Sequence, residues 1–453
     1  MILNGCLVDD KSLRGEEIEL RYLIACGCIA AFAIYTEKRI INPITILSLL
    51  WGIIVFFSKT ALYGLYSTQS EQPYIFIMVG LVSFAVGYYI MKLLRKDRPT
   101  YFVFFKTHNK NNLVLDYKVC YICLVVTILV SILKLKDMGL NIFQIGFDFA
   151  SIGNVITQAD AEGHSQIINL LYFFTASPLY LAITVVFSFE CLKKNKDKII
   201  IILSIVTIIL RLFVTGGRIA LIQLFLSFVV AYLFPISSTT DSIIHIGKSL
   251  RKRWKRLAII SIMFLIAFYF ATLSRGMDIA KNLYCSFGIQ PYLLEYWCKE
   301  IGDNRAFGLC SLNGFFYPVV YIIKNLFRLN ELPGIFADIY INVQNTFNHW
   351  VPCGQYSLCN AYSSAFWYLY YDGGIIGIIV GMAIWGMVSF NSFVKAKKVR
   401  SYSSVANFAI ILIGLFYTFT DMEFNKPSYV LAIIYMNYLL IRKKEERDTQ
   451  RYE

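Results

Sequence analysis

Long apolar runs recur along the chain between residues 20 and 441, with short polar segments between them. The runs are continuous rather than alternating, which favours membrane-spanning helices over a β-barrel. Eleven runs approach the roughly 20 residues that a helix needs to cross about 30 Å of hydrocarbon, although several are shorter. We therefore predict an all-α polytopic transmembrane helical bundle of about 11 spans, within a range of about 10 to 12. The predicted spans are 20–36, 42–66, 73–93, 119–133, 167–189, 199–214, 219–235, 257–273, 374–394, 404–420 and 428–441.

Composition and charge support a membrane protein. Hydrophobic residues make up 57% of the 453-residue chain and charged residues 16%, whereas soluble domains are about a quarter charged. This excludes a soluble cytosolic enzyme, a disordered chain and a small secreted domain held by disulfides.

The net charge of +14 is explained by topology rather than by nucleic-acid binding. If the C-terminus is cytoplasmic, the cytoplasmic segments hold 28 Lys/Arg and 10 Asp/Glu, whereas the rest of the chain holds 15 and 19. The positive-inside rule predicts this bias. Those segments are 37–39, 92–118, 190–198, 236–256, 395–400 and 442–453.

The spans divide the chain into three parts. Residues 1–273 carry about eight spans, 274–373 form a large periplasmic loop, and 374–453 carry the last spans and a basic cytoplasmic tail. Helically spaced apolar and aromatic residues predict short amphipathic helices in the loop, which acts either as a capping subdomain or as a lid over a lipid-linked substrate. The stretch 315–323 lies along the surface, re-enters or spans. The chain has no phosphate-binding or dinucleotide-binding glycine motif, so we place its function at the outer face.

Four arginines are candidates for binding phosphate. Arg211 and Arg218 are seven residues apart, so a continuing helix would place both on one face, roughly 10 Å apart. Guanidinium groups at that depth are costly unless they face protein or water, and their planar fork suits phosphate oxygens. Arg275 and Arg305 in the loop could complete such a site. The alternatives are snorkelling to headgroups, interfacial anchoring and surface ion pairs.

His349 is the candidate general base, because histidine titrates near neutral pH. A structural loop histidine is the alternative. Asp160, Glu162 and His164 resemble a cation site in composition, but a solvated polar loop has the same composition. We predict that the protein binds no metal.

The loop contains five cysteines, an odd number that cannot all pair with one another. If the outside is an oxidising periplasm, one or two disulfides form, with connectivity open. The cysteines are residues 285, 298, 310, 353 and 359.

Asp372 precedes the ninth predicted span and is expected to cap that helix. Gly373, Gly377 and Gly381 recur every four residues, so their face is expected to admit a neighbouring helix.

The order of these motifs resembles that of a known family. Thr215-Gly216-Gly217-Arg218 ends a span, the large loop follows, Asn345-Thr346-Phe347 lies within it, and Tyr371-Asp372-Gly373-Gly374-Ile375-Ile376-Gly377 opens a late span. This pattern resembles the O-antigen polymerase (Wzy) family, the oligosaccharide repeat-unit polymerases of bacterial envelopes. The resemblance covers the whole chain in architecture, but its motifs are short. The family has Phe-Gly after the aspartate, and here Gly373 follows instead.

The resemblance implies a multi-pass glycosyltransferase with a C-type glycosyltransferase-like fold in the bacterial inner membrane, active at the periplasmic face and without cofactor or metal. Its partners would be undecaprenyl-pyrophosphate-linked oligosaccharide, the bilayer and a chain-length regulator protein, with no nucleic acid. Residue by residue, Arg218 and Arg275 match the pyrophosphate-binding role and His349 the acceptor-activating role. Arg218 also counts as catalytic, Arg211 and Arg305 are further phosphate ligands, and Asn345 and Asp372 are additional candidates.

Three other functions remain open at this stage. An O-antigen ligase would share the architecture and the arginines. A flippase or transporter of lipid-linked oligosaccharide usually has short loops and internal repeats, which this chain lacks. A non-enzymatic envelope scaffold would give no functional explanation for the arginines at the outer face.

Overall fold

A computed structural model describes most of the chain. It covers residues 10–95, 113–140, 152, 165–193, 195–215, 219–236, 258, 261–262, 264–266, 269, 279–327, 329, 332, 334–355, 357–360 and 362–443. The predicted span 257–273 therefore falls largely outside the described residues.

The described chain is built mainly of α-helices. They are α1 Asp10–Glu37, α2 Pro43–Thr60, α3 Gln72–Leu94, α4 Tyr117–Asp137, α5 Gln166–Phe174, α6 Ala176–Leu192, α7 Lys198–Thr215, α8 Ile219–Leu233, α9 Ile279–Gly288, α10 Gln290–Ile301, α11 Asn313–Leu326, α12 Ile335–Asn348, α13 Ser364–Lys398, α14 Tyr402–Phe416 and α15 Pro427–Tyr438. Short 3-10 helices lie at Leu62–Gly64, Tyr417–Phe419 and Glu423–Asn425. Two antiparallel strand pairs complete the fold: β1 Leu113–Leu115 with β4 Ile441–Lys443, and β2 Val351–Gly354 with β3 Ser357–Cys359.

Seven helical stretches within the described residues are long and apolar enough to cross a membrane. They are Pro43–Thr60, Gln72–Leu94, Tyr117–Asp137, Gln166–Leu192, Lys198–Thr215, Ser364–Lys398 and Tyr402–Phe419, and α8 is a shorter apolar helix. This confirms a helical membrane protein. The count of eleven spans stays a prediction, as does the likeness to C-type glycosyltransferases.

Local signals in the sequence set several helix starts. The side chain of Asn42 accepts a hydrogen bond from the backbone N–H of Thr45 over 2.9 Å, which satisfies a donor in the first turn of α2. Asp116 caps α4 and Ser401 caps α14 in the same way. Pro427 occupies the first turn of α15, where its missing N–H costs nothing.

Helices α3 and α13 approach each other closely at glycines. A Cβ atom on Gly87 would lie 2.0 Å from the carbonyl oxygen of Ala383, and one on Gly386 would lie 2.1 Å from that of Phe84. Close packing through small residues is the usual device between membrane helices. The predicted face of Gly373, Gly377 and Gly381 is not the surface of α13 that contacts α3. Gly377 instead faces Leu369 of its own helix, and a Cβ atom on Gly377 would lie 2.1 Å from the Leu369 carbonyl oxygen.

Among the described residues, segments that the charge bias assigns to the cytoplasm contact one another. Lys92 pairs with Glu37 over 2.7 Å, and the hydroxyl of Tyr117 donates to Glu190 over 3.0 Å. The pairing of β1 with β4 brings residues 113–115 to 441–443. These contacts are consistent with one shared side of the membrane, and the identity of that side stays a prediction.

The region predicted as an external loop contains helices α9 to α12 and the β2–β3 hairpin. A disulfide joins Cys353 to Cys359 across the hairpin. The hairpin contacts the segment after α2, where the backbone N–H of Tyr66 donates to the carbonyl of Cys353 over 2.9 Å. The other three loop cysteines are free, so one of the predicted disulfides is present in the structure.

Candidate functional site

Helix α13 bends sharply at two glycines. Gly373 has φ −165° and ψ 28°, and Gly374 has φ 62° and ψ −144°. Residues other than glycine rarely adopt the backbone conformation of Gly374, so glycine is required at that position. The helix begins at Ser364, ten residues before the predicted span, and the bend separates its first part from the long part that runs to Lys398.

Asp372 immediately precedes the bend and is 6% exposed. The backbone N–H groups of Cys310 and Ser311 donate to its two carboxylate oxygens, each over 2.9 Å. Its backbone carbonyl accepts from the N–H of Phe307 over 3.0 Å. The carboxylate therefore fixes the turn before α11 against the bend and does not cap its own helix, contrary to the expectation from sequence.

Arg305 lies at the same bend. Its guanidinium carbon is 5.1 Å from the centre of the Tyr370 ring, and its Nε atom is 3.8 Å from the position of a Cβ on Gly374. Its NH1 group donates to the carbonyls of Gly302 and Asn304, each over 2.7 Å. The structure thus brings together two of the predicted site residues, Arg305 and Asp372.

An apolar groove of about 430 Å³ runs from this bend along the long part of α13. It starts at Gly308, Ser311 and Gly373 and reaches Asn437 and Tyr438 at the end of α15. Ligand sites typically have volumes of about 300–1,000 Å³. The walls are formed by apolar side chains, among them Ile376, Val380, Ile384, Trp385, Met422, Phe424, Val430, Ile433 and Ile434.

A second polar site surrounds Arg211, which is 9% exposed. Its guanidinium carbon lies 5.5 Å from the centre of the Tyr180 ring, and its NH1 group has no hydrogen-bond partner among the described residues. It also interacts electrostatically with Tyr172, Tyr417 and Glu423. A guanidinium so deep in the bundle is costly unless it has a partner, which marks Arg211 as a functional candidate.

The segment between α14 and α15 supplies the buried carboxylates of Asp421 and Glu423, together with Lys426, whose side chain is 33% exposed. Lys426 pairs with Asp421 over 2.7 Å and with Glu423 over 2.9 Å. Burial raises the pKa of the Glu423 carboxyl, although attraction to Lys426 and Arg211 opposes this effect. Burial alone would lower the pKa of Lys426, but the two carboxylates outweigh it and raise that pKa.

His349 and Asn345 lie elsewhere and are exposed. His349 immediately follows α12, and its backbone N–H donates to the carbonyl of Asn345 over 2.9 Å. Its ring centre lies 6.2 Å from that of Trp297. The Trp297 carbonyl accepts from the indole N–H of Trp367 over 3.1 Å. The described contacts therefore connect His349 to α13 through tryptophans and not to a guanidinium.

Several predicted residues lie outside the described residues. These are Arg218, Arg275, Asp160, Glu162 and His164. Within the described part of the chain, no group of three His, Cys, Asp or Glu side chains is arranged to hold a metal ion.

Sequence reasoning missed Asp421, Glu423 and Lys426. A signal was available, since three ionisable residues within six positions separate two apolar runs. Ionisable groups at a span boundary that are buried in protein are functional candidates.

Comparison with known proteins gives no family assignment. No protein-family model and no curated protein matches the sequence, and no solved structure matches the fold.

Proposed function

We propose that this protein is a membrane glycosyltransferase that joins oligosaccharide repeat units carried on a polyprenyl pyrophosphate. The observation that supports this most directly is the apolar groove that starts at the α13 bend, where Asp372 and Gly373 line it and Arg305 lies close to Gly374. A polyprenyl tail is apolar along its length and anionic at its head. The groove offers an apolar wall for the tail, and Arg305, which lies at the same bend but does not line the groove, is the candidate to bind the head.

The proposed reaction needs neither nucleotide nor metal. The hydroxyl of an acceptor sugar attacks the anomeric carbon of the donor, the glycosidic bond forms, and the bond to pyrophosphate breaks with its electron pair leaving on the phosphate oxygen. The hydroxyl proton passes to a base, for which His349 is the first candidate and Glu423 the second. Fixed guanidinium groups favour departure of the anionic leaving group. Arg211, Arg218, Arg275 and Arg305 are the candidates for that role.

The segment 421–425 has different chemistry on its two sides. Met422 and Phe424 line the apolar groove, whereas Glu423 lies in the polar site of Arg211. A polymerase binds two lipid-linked substrates at once, and two adjacent sites of this kind suit that requirement. We place the reaction at the periplasmic face of the bacterial inner membrane, with the C-terminus in the cytoplasm.

A flippase and a ligase are the competing functions, and one experiment separates the polymerase from both. The gene is deleted in its native strain, and surface polysaccharide is run on a gel. A ladder that collapses to a single repeat on lipid A core indicates a polymerase. Loss of all O-antigen indicates a ligase or a flippase, and an unchanged ladder contradicts any of these functions.

Occupation of the groove by lipid can be tested with two variants of α13. Ile384 lines the groove and is 54% exposed, whereas Ile379 is 42% exposed and does not line it. Ile384→Trp should narrow the groove and shorten the ladder in a complemented deletion strain. Ile379→Trp is the matched control, because it adds the same side chain to the same helix. Equal ladders from both variants would remove the groove from the mechanism.

A further inference from the structure

We propose that a second apolar groove, between α1 and α3, binds one anionic phospholipid of the bilayer. An acyl chain occupies the groove, and the phosphate group lies among a cluster of cations at its mouth. The cations belong to segments that the charge bias assigns to the cytoplasm. The site does not rest on the proposed function, because it uses neither the groove along α13 nor Arg211.

The α1–α3 groove has a volume of about 470 Å³, within the range of about 300–1,000 Å³ that is typical of ligand sites. Its lining side chains are hydrophobic apart from the hydroxyl of Tyr89, which is hydrogen-bonded to Thr36 over 2.6 Å. Val82, Val86 and Ile90 lie four residues apart in α3 and are exposed, so the groove opens along the outer surface of that helix. Such a groove accepts an acyl chain from the surrounding hydrocarbon without leaving a polar group unpaired.

A cation lies directly at one end of this groove. The Nζ atom of Lys92 is 5.6 Å from the centre of the Tyr89 ring, and Tyr89 lines the groove. The same Nζ atom pairs with Glu37 at the end of α1 over 2.7 Å. The ring of Tyr89 also contacts that of Phe32 in α1, with centres 5.6 Å apart, so α1 and α3 are in contact at this end.

This end of the groove carries more positive than negative charge. Lys397 interacts electrostatically with Arg39, Lys92 and Lys398, and with one carboxylate, that of Glu37. Four cations and one carboxylate give this group a net charge of +3. Neither Arg39 nor Lys397 forms a salt bridge with a carboxylate of the described residues. A phosphate group is the anion that a bilayer supplies at this depth, and basic pockets between helices on the cytoplasmic side are typical sites for anionic headgroups.

Two of these cations are held in place by buried aromatic rings. The guanidinium carbon of Arg39 is 5.4 Å from the centre of the Phe234 ring, and the Nζ atom of Lys397 is 5.8 Å from that of Phe393. The two rings are buried, and their centres are 6.0 Å apart. Arg39 and Lys397 therefore lie over neighbouring rings of the bundle, whereas a snorkelling side chain extends away from the protein to reach the headgroups.

The site is remote from the bend where we place the lipid pyrophosphate. Lys397 follows Gly374 by 23 positions in one helix, which corresponds to about 35 Å. That distance exceeds the thickness of the hydrocarbon core, so the two sites face opposite leaflets. The cytoplasmic leaflet is the one rich in anionic lipid, which selects a phospholipid of that leaflet as the occupant.

Basic residues at the cytoplasmic ends of spans also act as topology anchors. An anchor attracts anionic lipid through charge alone, so its effect depends on the number of cations and not on a groove. A bound phospholipid requires both the cations and the space for its acyl chain. The two explanations therefore differ in how they respond to a change inside the groove.

The test uses the full-length protein in nanodiscs of phosphatidylcholine with increasing fractions of phosphatidylglycerol. Native mass spectrometry counts the phosphatidylglycerol molecules that stay bound to each chain, and we expect one at low fractions. Arg39→Gln and Lys397→Gln should each weaken this binding about fivefold, the scale of one cation near an anionic surface. Lys118→Gln is the matched control, because Lys118 is exposed on the same predicted side and outside the cluster.

A second pair of variants tests the groove itself. Ile90 lines the groove and is 42% exposed, whereas Ile75 lies in the same helix, is 43% exposed and does not line it. Ile90→Trp should fill the groove and weaken retention of phosphatidylglycerol about fivefold or more, and Ile75→Trp should bind like wild type. Unfolding temperatures in pure phosphatidylcholine should be equal for the two variants, which separates lost binding from a damaged fold.

Three results would each overturn the site. Equal retention of phosphatidylcholine and phosphatidylglycerol would show that the cations do not select the lipid. Equal weakening by Lys118→Gln and Arg39→Gln would show that binding follows total charge. Unchanged retention in Ile90→Trp would leave the cations as topology anchors. The polysaccharide ladder tests the proposed function separately.

Discussion

The carboxylate of Asp372 should control how often the turn before α11 opens. In Asp372→Asn one oxygen remains to accept from a backbone N–H, and the new amide group faces the other N–H as a second donor. Hydrogen bonds to charged groups contribute about 1.5–3 kcal/mol, and an unsatisfied buried donor costs about 1–3 kcal/mol. We expect Asp372→Asn to favour opening by about 2–3 kcal/mol, which raises the open population about 30- to 150-fold. Asp372→Ala removes both bonds and should exceed this.

Cys310 reports this opening directly, because its own backbone N–H is one of the two donors and its side chain is fully buried. Burial also raises the pKa of the Cys310 thiol, so the closed form is protonated and unreactive. Modification by a maleimide should therefore require opening. The rate can be followed by mass spectrometry on the peptide 306–324, in which Cys310 is the sole cysteine.

Asp303→Asn is the control, because this carboxylate is exposed in the same loop. It should label at the wild-type rate. If Asp372→Asn also labels at the wild-type rate, the two backbone bonds do not hold the turn. If both variants accelerate labelling equally, the effect comes from the charge of the loop and not from the bonds at the bend.

Three further predictions follow from the buried charges and the disulfide. Arg211→Lys keeps the charge but loses the planar fork, so the polysaccharide ladder should recover partly, and full recovery would contradict a bidentate role. Burial raises the pKa of the Glu423 carboxyl in the folded protein above its ordinary value of 4.5, so the protonated form stabilises the fold and that stability is lost as pH rises from about 4.5 through the folded pKa. Glu423→Gln should remove this fall in the free energy of unfolding with pH, and an unchanged pH dependence would refute the assignment. If the β2–β3 hairpin lies on the oxidising periplasmic side, as the topology predicts, an impermeant maleimide should label Cys353 and Cys359 in intact cells only after an impermeant reductant, and labelling that requires lysis would invert the topology.

The predicted bounds agree best with the structure for spans that are flanked by polar residues, and worst where a helix extends beyond the predicted span. The predicted spans 73–93 and 199–214 agree closely with Gln72–Leu94 and Lys198–Thr215. The ninth predicted span begins at residue 374. Helix α13 begins at Ser364, since Phe366 and Trp367 are fully buried and continue the apolar segment across the glycines.

The sequence by itself determined the membrane class and the position of most spans, because an apolar run near 20 residues long has few other environments. It also identified Arg211 from its depth in an apolar run, and Arg305 as a loop cation that could complete a phosphate site. Only the tertiary structure decided what each cation meets. Arg211 lies about 210 positions before Glu423 in the chain, and Arg305 about 70 before Gly374. Such pairs form when helices distant in sequence pack together, and the spacing of residues along one helix carries no information about its neighbours.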